Sequence, residues 1–177
     1  ARAEAVSVSK EYGSAPLVGE AATEQALRGQ AGTGIDVLHL ATHALYDPVF
    51  PLQSSLILTD GKRAVPLTAE NLFQRPIFAR LVVLSACETG MGKVISGDDL
   101  LGLARSFYLG GTSAVVSSLW PVDDEATRIF MGVFHERARR GAYGSAWLAA
   151  RDAVRDKGYG PSSYGAFVLG GSLGSMP

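Results

Sequence analysis

The chain has 177 residues, 47% of them hydrophobic and 19% charged, with a formal net charge of −1 at pH 7. That suits one domain with a buried core and excludes a disordered tail. The near-neutral balance argues against a nucleic-acid sleeve or a polybasic membrane surface. No apolar run approaches the roughly 18 residues that cross a bilayer, and no basic-then-apolar leader is visible.

A single cysteine cannot form an internal disulfide. A reducing compartment is therefore expected, which makes the cytoplasm the expected location. The chain opens on Ala1, not Met, and is expected to be a piece of a longer protein.

Residues 1–12 are mixed and weakly helical. Residues 13–19 read as a loop around a short extended piece, Pro16 to Val18. Thr23 caps a helix to about Gln30, which Gly29, Gly32 and Gly34 end. Residues 35–43 are apolar and β-rich apart from Asp36, and too short for a helix, so they read as a buried strand. Two prolines make 47–53 a loop. Residues 55–59 and 63–67 flank Asp60-Gly61 and predict a hairpin, followed by a short helix over 68–73.

Residues 80–86 form a second buried strand with Cys87 at its carboxyl end. A Gly-rich loop fills 88–97. Asp98 or Asp99 caps a helix through Leu109, and Gly110-Gly111 stops it. Residues 112–119 are a third buried strand. Residues 121–124 open a helix to about Arg140, where Asp123 or Asp124 suits the helix dipole. Ser145 caps a further helix to about Lys157, and 164–169 is the final strand.

Strands alternating with helices mean an α/β fold, a mostly parallel sheet with helices on both faces. Ligands of such sheets sit beyond the carboxyl ends of the strands. His43 and Cys87 both fall at strand carboxyl ends. A nucleophilic cysteine needs a base that the fold, not sequence adjacency, brings close. The hairpin and short helix between the two strands serve as a crossover that would bring both side chains to one sheet edge. The turn Glu88-Thr89-Gly90-Met91-Gly92 leaves backbone N–H groups free for an oxyanion. Those amides and His43 would lower the thiol pKa, and Glu88 would raise it. The alternative is a buried core thiol and an unconnected surface imidazole. His39, in mid-strand, reads as an interior residue. His135, in a helix rich in Arg and Glu, reads as solvated.

The run His39-Leu40-Ala41-Thr42-His43, followed by Ser54-Ser55-Leu56-Ile57-Leu58, resembles the histidine half of the CHAT domain. Residues 81–90, L-V-V-L-S-A-C-E-T-G, resemble its cysteine half. Gly97-Asp98-Asp99, the segment from Leu101 to Arg105, Gly110-Gly111, Ser117-Ser118-Leu119-Trp120 and Tyr164-Gly165-Ala166-Phe167 match in the same order. The resemblance covers essentially the whole chain. It implies a caspase-like cysteine peptidase of clan CD, related to caspases and separase and often carried behind tetratricopeptide repeats in bacteria. The implied fold is a three-layer α/β/α sandwich with a caspase-like (flavodoxin-like) sheet. Residues 1–177 would form one such domain, in the C-terminal part of a longer protein.

The resemblance implies peptide-bond hydrolysis. Cys87 would be the nucleophile and His43 the acid–base. The backbone amides of Cys87 and Ala44 would hold the oxyanion. The implied partners are a protein or peptide substrate and a regulatory tetratricopeptide region or activator, with no nucleic acid and no membrane.

The chain departs from the family pattern in places. Ala44 stands where the family usually has Gly. Ser85-Ala86-Cys87-Glu88-Thr89-Gly90 replaces the caspase Q-A-C-R-G, so a basic pocket for aspartate is not supported. Asp98 and Asp99 would instead pair with an Arg or Lys just before the cut bond, or else cap the helix. Trp120 would wall the substrate groove or belong to the core. Ala3-Glu4-Ala5 resembles the helix after the family's first strand, and that strand is absent. Its place would be between the 16–18 strand and the strand ending at Thr42, so a missing upstream segment or an altered sheet edge is expected.

Other chemistries lack their motifs. Val94 follows Lys93 where a phosphate loop needs Ser or Thr, and the early glycines lack G-x-G-x-x-G spacing. One cysteine makes a structural zinc site improbable, and no G-x-S-x-G elbow occurs. No metal and no cofactor are expected. Three readings remain: a cysteine endopeptidase, a catalytically silent caspase-like module for protein contacts, and a small flavodoxin-like binding domain with a buried thiol.

Overall fold

The computed structural model describes residues 1–31, 34–85 and 99–173, the side chains of 31 and 99–101 apart. In chain order these give α1 (Arg2–Glu11), α2 (Glu24–Ala31), β1 (Ile35–Ala41), β2 (Ala44–Leu45), β3 (Ser55–Thr59), β4 (Ala64–Thr68), α3 (Ala69–Gln74) and β5 (Ala79–Ser85). There follow α4 (Asp99–Leu109), β6 (Ala114–Ser118), α5 (Asp124–Ala138), α6 (Tyr143–Asp156), α7 (Pro161–Tyr164) and β7 (Phe167–Gly171).

The main sheet has the order β1-β5-β6-β7. β1, β5 and β6 are parallel, and β7 closes the sheet antiparallel to β6. β5 anchors it, because its side chains alternate between two separate cores. Leu81 and Val83 pack with Phe130, Phe134 and Ala150 of α5 and α6. Val82 and Leu84 pack with Leu72, Leu103 and Phe107 of α3 and α4. All four are at most 1% exposed, and burial of each such side chain contributes about 1.5–3 kcal/mol. The result is the expected three-layer α/β/α sandwich with a mostly parallel sheet.

Local chemistry sets the element ends. Thr23 accepts the Ala26 N–H (3.0 Å) and caps α2. Thr68 and Asn71 form a reciprocal capping box on α3. Asp123 accepts from Glu125 and Ala126 N–H at the start of α5. In α4 the Gly111 N–H donates to the Tyr108 carbonyl and the Thr112 N–H to the Phe107 carbonyl. That is a Schellman stop, and Gly111 supplies the positive φ of 95° that it needs. The hairpin forms as the Asp-Gly signal predicts: Asp60 Oδ1 accepts from Lys62 and Arg63 N–H, and Gly61 takes φ 97°.

Four expectations change. Pro16 to Val18 form no strand; Gly13 and Gly19 turn the chain with positive φ on either side, and Pro16 has no N–H to give a ladder. β1 is consequently the edge of the main sheet among the described residues. The first strand ends at Ala41, not His43, and the chain turns into a second sheet, β2-β3-β4. α6 starts at Tyr143, so Ser145 lies inside its first turn and its hydroxyl donates back to the Ala142 carbonyl. Tyr164 is helical, because Pro161 at the first helical position preforms one turn, and the last strand is Phe167–Gly171.

Candidate active site

The parallel pairing of β1 and β5 runs in register from Ile35↔Ala79 to Ala41↔Ser85. β6 continues the parallel set beside β5. The carboxyl ends of all three strands therefore share one edge of the sheet. His43, Cys87 and Trp120 each stand two residues beyond the last residue of their strand.

His43 is exposed and sits between β1 and β2. Its backbone carbonyl accepts the Ile57 N–H (2.9 Å), and the neighbouring Thr42 hydroxyl donates to the Ile57 carbonyl (2.5 Å). Two bonds to β3 thus fix the backbone that carries the imidazole. Ala44 is fully buried and pairs with Leu56 in an antiparallel ladder. Hydrogen-bonded and non-bonded pairs alternate in such a ladder. Because His43 bonds to Ile57, the Ala44 N–H is directed away from β3.

Trp120 is half-buried, and its Nε1–H donates to the Ser162 carbonyl (2.6 Å). The indole is thus tied to α7 at the same edge. Asp99 is the first residue of α4. Cys87, Glu88 and Asp98 lie outside the described residues.

A buried polar chain behind this edge was only partly visible in the sequence. Tyr12 Oη lies 2.9 Å from His135 Nδ1. His135 Nε2 lies 3.0 Å from His39 Nδ1, and His39 Nε2 lies 3.2 Å from Glu4 Oε1. The Ser85 hydroxyl is near enough to the Glu4 carboxylate to favour its charged form. His39 is interior, as expected. His135 is not solvated: it is 0% exposed, with Tyr12, His39 and Phe134 rings set edge-on around it. The overlooked signal is helical spacing, since Ala126, Phe130, Met131, Phe134, His135 and Ala138 form the buried stripe of α5.

Burial, with His39 beside it, pushes the His135 pKa down to about 2, so the ring is neutral. Burial alone would raise the Glu4 carboxyl. The His39 imidazole, the Ser85 hydroxyl and the amino terminus outweigh it, and the net shift is downward.

A separate open groove lies between the Pro51–Gln53 turn, α3 and α4. Its described lining is Pro51, Leu52, Phe73, Gly102, Arg105, Ser106 and Leu109, and no expected site residue is among them. Among the described residues no group of three His, Cys, Asp or Glu could hold a metal ion. No described helix is long and apolar enough to cross a membrane.

A three-layer α/β/α sandwich built on a mostly parallel sheet is consistent with a caspase-like fold. The chain belongs to the CHAT domain family, which matches residues 1–163. Over 97% of its length it is similar to tetratricopeptide repeat protein 28 of Mus musculus, at 29% identity, and to that of Homo sapiens, at 28%. The chain spans about 8% of the length of these curated relatives.

Proposed function

We propose that this chain is the cysteine endopeptidase domain of a longer polypeptide, with Cys87 as nucleophile and His43 as its acid–base partner. The observation that carries the reading is the Ala41↔Ser85 register, the last pair of the adjacent parallel strands β1 and β5. Each expected catalytic residue follows one member of that pair at the same spacing.

The Cys87 thiolate attacks the scissile carbonyl carbon, and the carbonyl π electrons move to oxygen. The Cys87 and Ala44 N–H groups stabilise that oxyanion, and the ladder geometry at Ala44 supports its part. The His43 imidazolium gives its proton to the leaving amine as the C–N bond breaks, leaving a thioester. His43 then takes a proton from water, the hydroxide displaces the thiolate, and the acid product leaves. A dyad suffices because a thiol ionises far more readily than a serine hydroxyl. No metal or cofactor enters these steps.

Asp98 and Asp99 would pair with an Arg or Lys before the cut bond, and Trp120 would wall the groove beside it. The names of the relatives support a tetratricopeptide-repeat setting, and with it a regulatory repeat region or activator protein; the proposed chemistry takes a protein or peptide substrate, and the single cysteine suits a cytoplasmic location.

The test is covalent labelling by Arg-ending and Asp-ending electrophilic peptides, read by intact mass, with His43→Ala as control. Arg-selective labelling that His43→Ala abolishes supports the reading. A folded chain that takes up neither peptide, alone or within its longer polypeptide, overturns it. The second reading, a catalytically silent protein-contact module, is favoured by the groove. Leu52, Phe73 and Leu109 line it and are 50%, 53% and 63% exposed, as side chains that meet a partner often are.

A further inference from the structure

The groove between the Pro51–Gln53 turn, α3 and α4 contains none of the expected site residues, and its walls define what fits it. Gly102, Arg105, Ser106 and Leu109 come from α4 at i, i+3, i+4 and i+7, one face of that helix. Phe73 comes from α3, and Pro51 and Leu52 from the turn. Leu103 and Phe107, further round α4, are buried in the core. The groove encloses about 480 Å³, within the range of pockets that bury a ligand. Leu52, Phe73 and Leu109 are left half or more exposed around it.

The polar groups of this surface are spent, with one exception. Ser106 is buried, and its O–H is shared between the Ala69 and Gly102 carbonyls (2.9 and 3.0 Å). The Glu70 carboxylate of α3 accepts from the Gln53 and Gln74 side-chain amides (3.2 and 3.3 Å). Arg105 is exposed, and among the described residues its guanidinium makes no hydrogen bond or ion pair. The lining thus offers apolar surface and a single positive charge.

An extended segment laid here would bury N–H and C=O groups that helical walls cannot bond. A helix carries its backbone bonds with it and meets a groove through apolar side chains at i, i+3, i+4 and i+7. The unpaired guanidinium calls for a carboxylate beside that stripe. We propose that this groove docks an amphipathic helix of a partner protein, whose apolar stripe packs on Leu52, Phe73 and Leu109 and whose Asp or Glu pairs with Arg105. The proposal rests on the protein-contact use of this surface, not on chemistry at Cys87.

The experiment is fluorescence anisotropy of labelled helical peptides titrated with the folded chain. Each peptide is about 15 residues long, enough to hold a helix in water, with leucines at i, i+3, i+4 and i+7. One Glu is moved through the positions that flank the stripe, and every peptide has a Gln and a Lys counterpart. Saturable binding is expected for at least one Glu position. Its Gln counterpart should bind about two- to fivefold more weakly, the factor that an exposed ion pair carries, and its Lys counterpart more weakly still.

Arg105→Glu should reverse the order of the Glu and Lys peptides. Phe73→Ala and Leu109→Ala should each weaken binding about fivefold or more, and Leu148→Ala, at an exposed leucine of α6, should leave it unchanged. All four side chains are exposed, so the Tm of each variant should stay near that of wild type. Three results overturn the proposal: no saturable binding by any peptide of the set, binding that Phe73→Ala and Leu109→Ala leave intact, or no preference for Glu over Lys. Self-association of the chain that the same two variants abolish also overturns it, since a second copy would then be the occupant. Binding is read without reaction at Cys87, so its failure leaves the peptidase reading standing, and a failure of covalent labelling leaves the docking standing.

Discussion

Ala41 and Ser85 face each other across β1 and β5, the final pair of a parallel register that begins at Ile35↔Ala79. Their pairing fixes the relative height of the two strand ends to within one residue, since a slip would turn the buried side chains of β5 into the wrong cores. Val82 and Leu84 pack into one core and Leu81 and Val83 into the other. The proposed dyad inherits this alignment.

Stability should fall with acid before the ordinary carboxylates titrate. The folded His135 pKa, about 2, lies below its ordinary 6.5. Its stabilising share is whole above about pH 6.5 and is lost as pH falls toward 2. Between pH 6.5 and 4.5 the unfolding free energy should drop by up to about 1.4 kcal/mol per pH unit, one proton's worth. The lowered Glu4 carboxyl adds in the same direction below its ordinary 4.5. Urea unfolding across this range checks the slope. His135→Phe should flatten it while lowering stability overall, and a flat wild-type curve would contradict a buried neutral imidazole.

Gly102→Ala should destabilise although alanine favours helices. The helix preference is worth about 1 kcal/mol. An added Cβ, however, would stand 2.5 Å from the Pro51 carbonyl oxygen, and backbone must move. Overpacking of this kind costs about 1–3 kcal/mol, so a net loss is expected. A raised Tm would show that the Pro51–Gln53 turn gives way freely.

Trp120→Phe removes the bond to the Ser162 carbonyl and keeps most of the ring. The expected cost is about 1 kcal/mol. If Trp120 walls the groove, labelling by electrophilic peptides should slow while labelling by iodoacetamide stays constant. Equal effects on both reagents would place its role in the core.

The parts of this fold visible in the sequence are those where one short-range cause dominates. β5 is buried on both faces, so it reads as an unbroken apolar run. The β3–β4 hairpin follows from Asp60-Gly61, and α4 ends at glycines that suit its stop. Tertiary context decided the rest. β2 is two residues long and exists because β3 is there to pair with it. Tyr164 is β-prone, yet Pro161 winds it into a turn. His135 has charged neighbours in sequence, but its spacing from Met131 and Ala138 turns it inward. His43 was legible as a strand-end histidine, whereas its bonds through Ile57 were not, because they join the connection after β1 to a strand distant in sequence.

The most direct test of the dyad is the rate of Cys87 alkylation against pH, wild type beside His43→Ala. The account predicts a wild-type midpoint well below the ordinary thiol value of about 8.5, and a shift back toward that value in His43→Ala, with the Tm of the two chains alike. Superimposable curves would mean that His43 does not act on Cys87, and would contradict it.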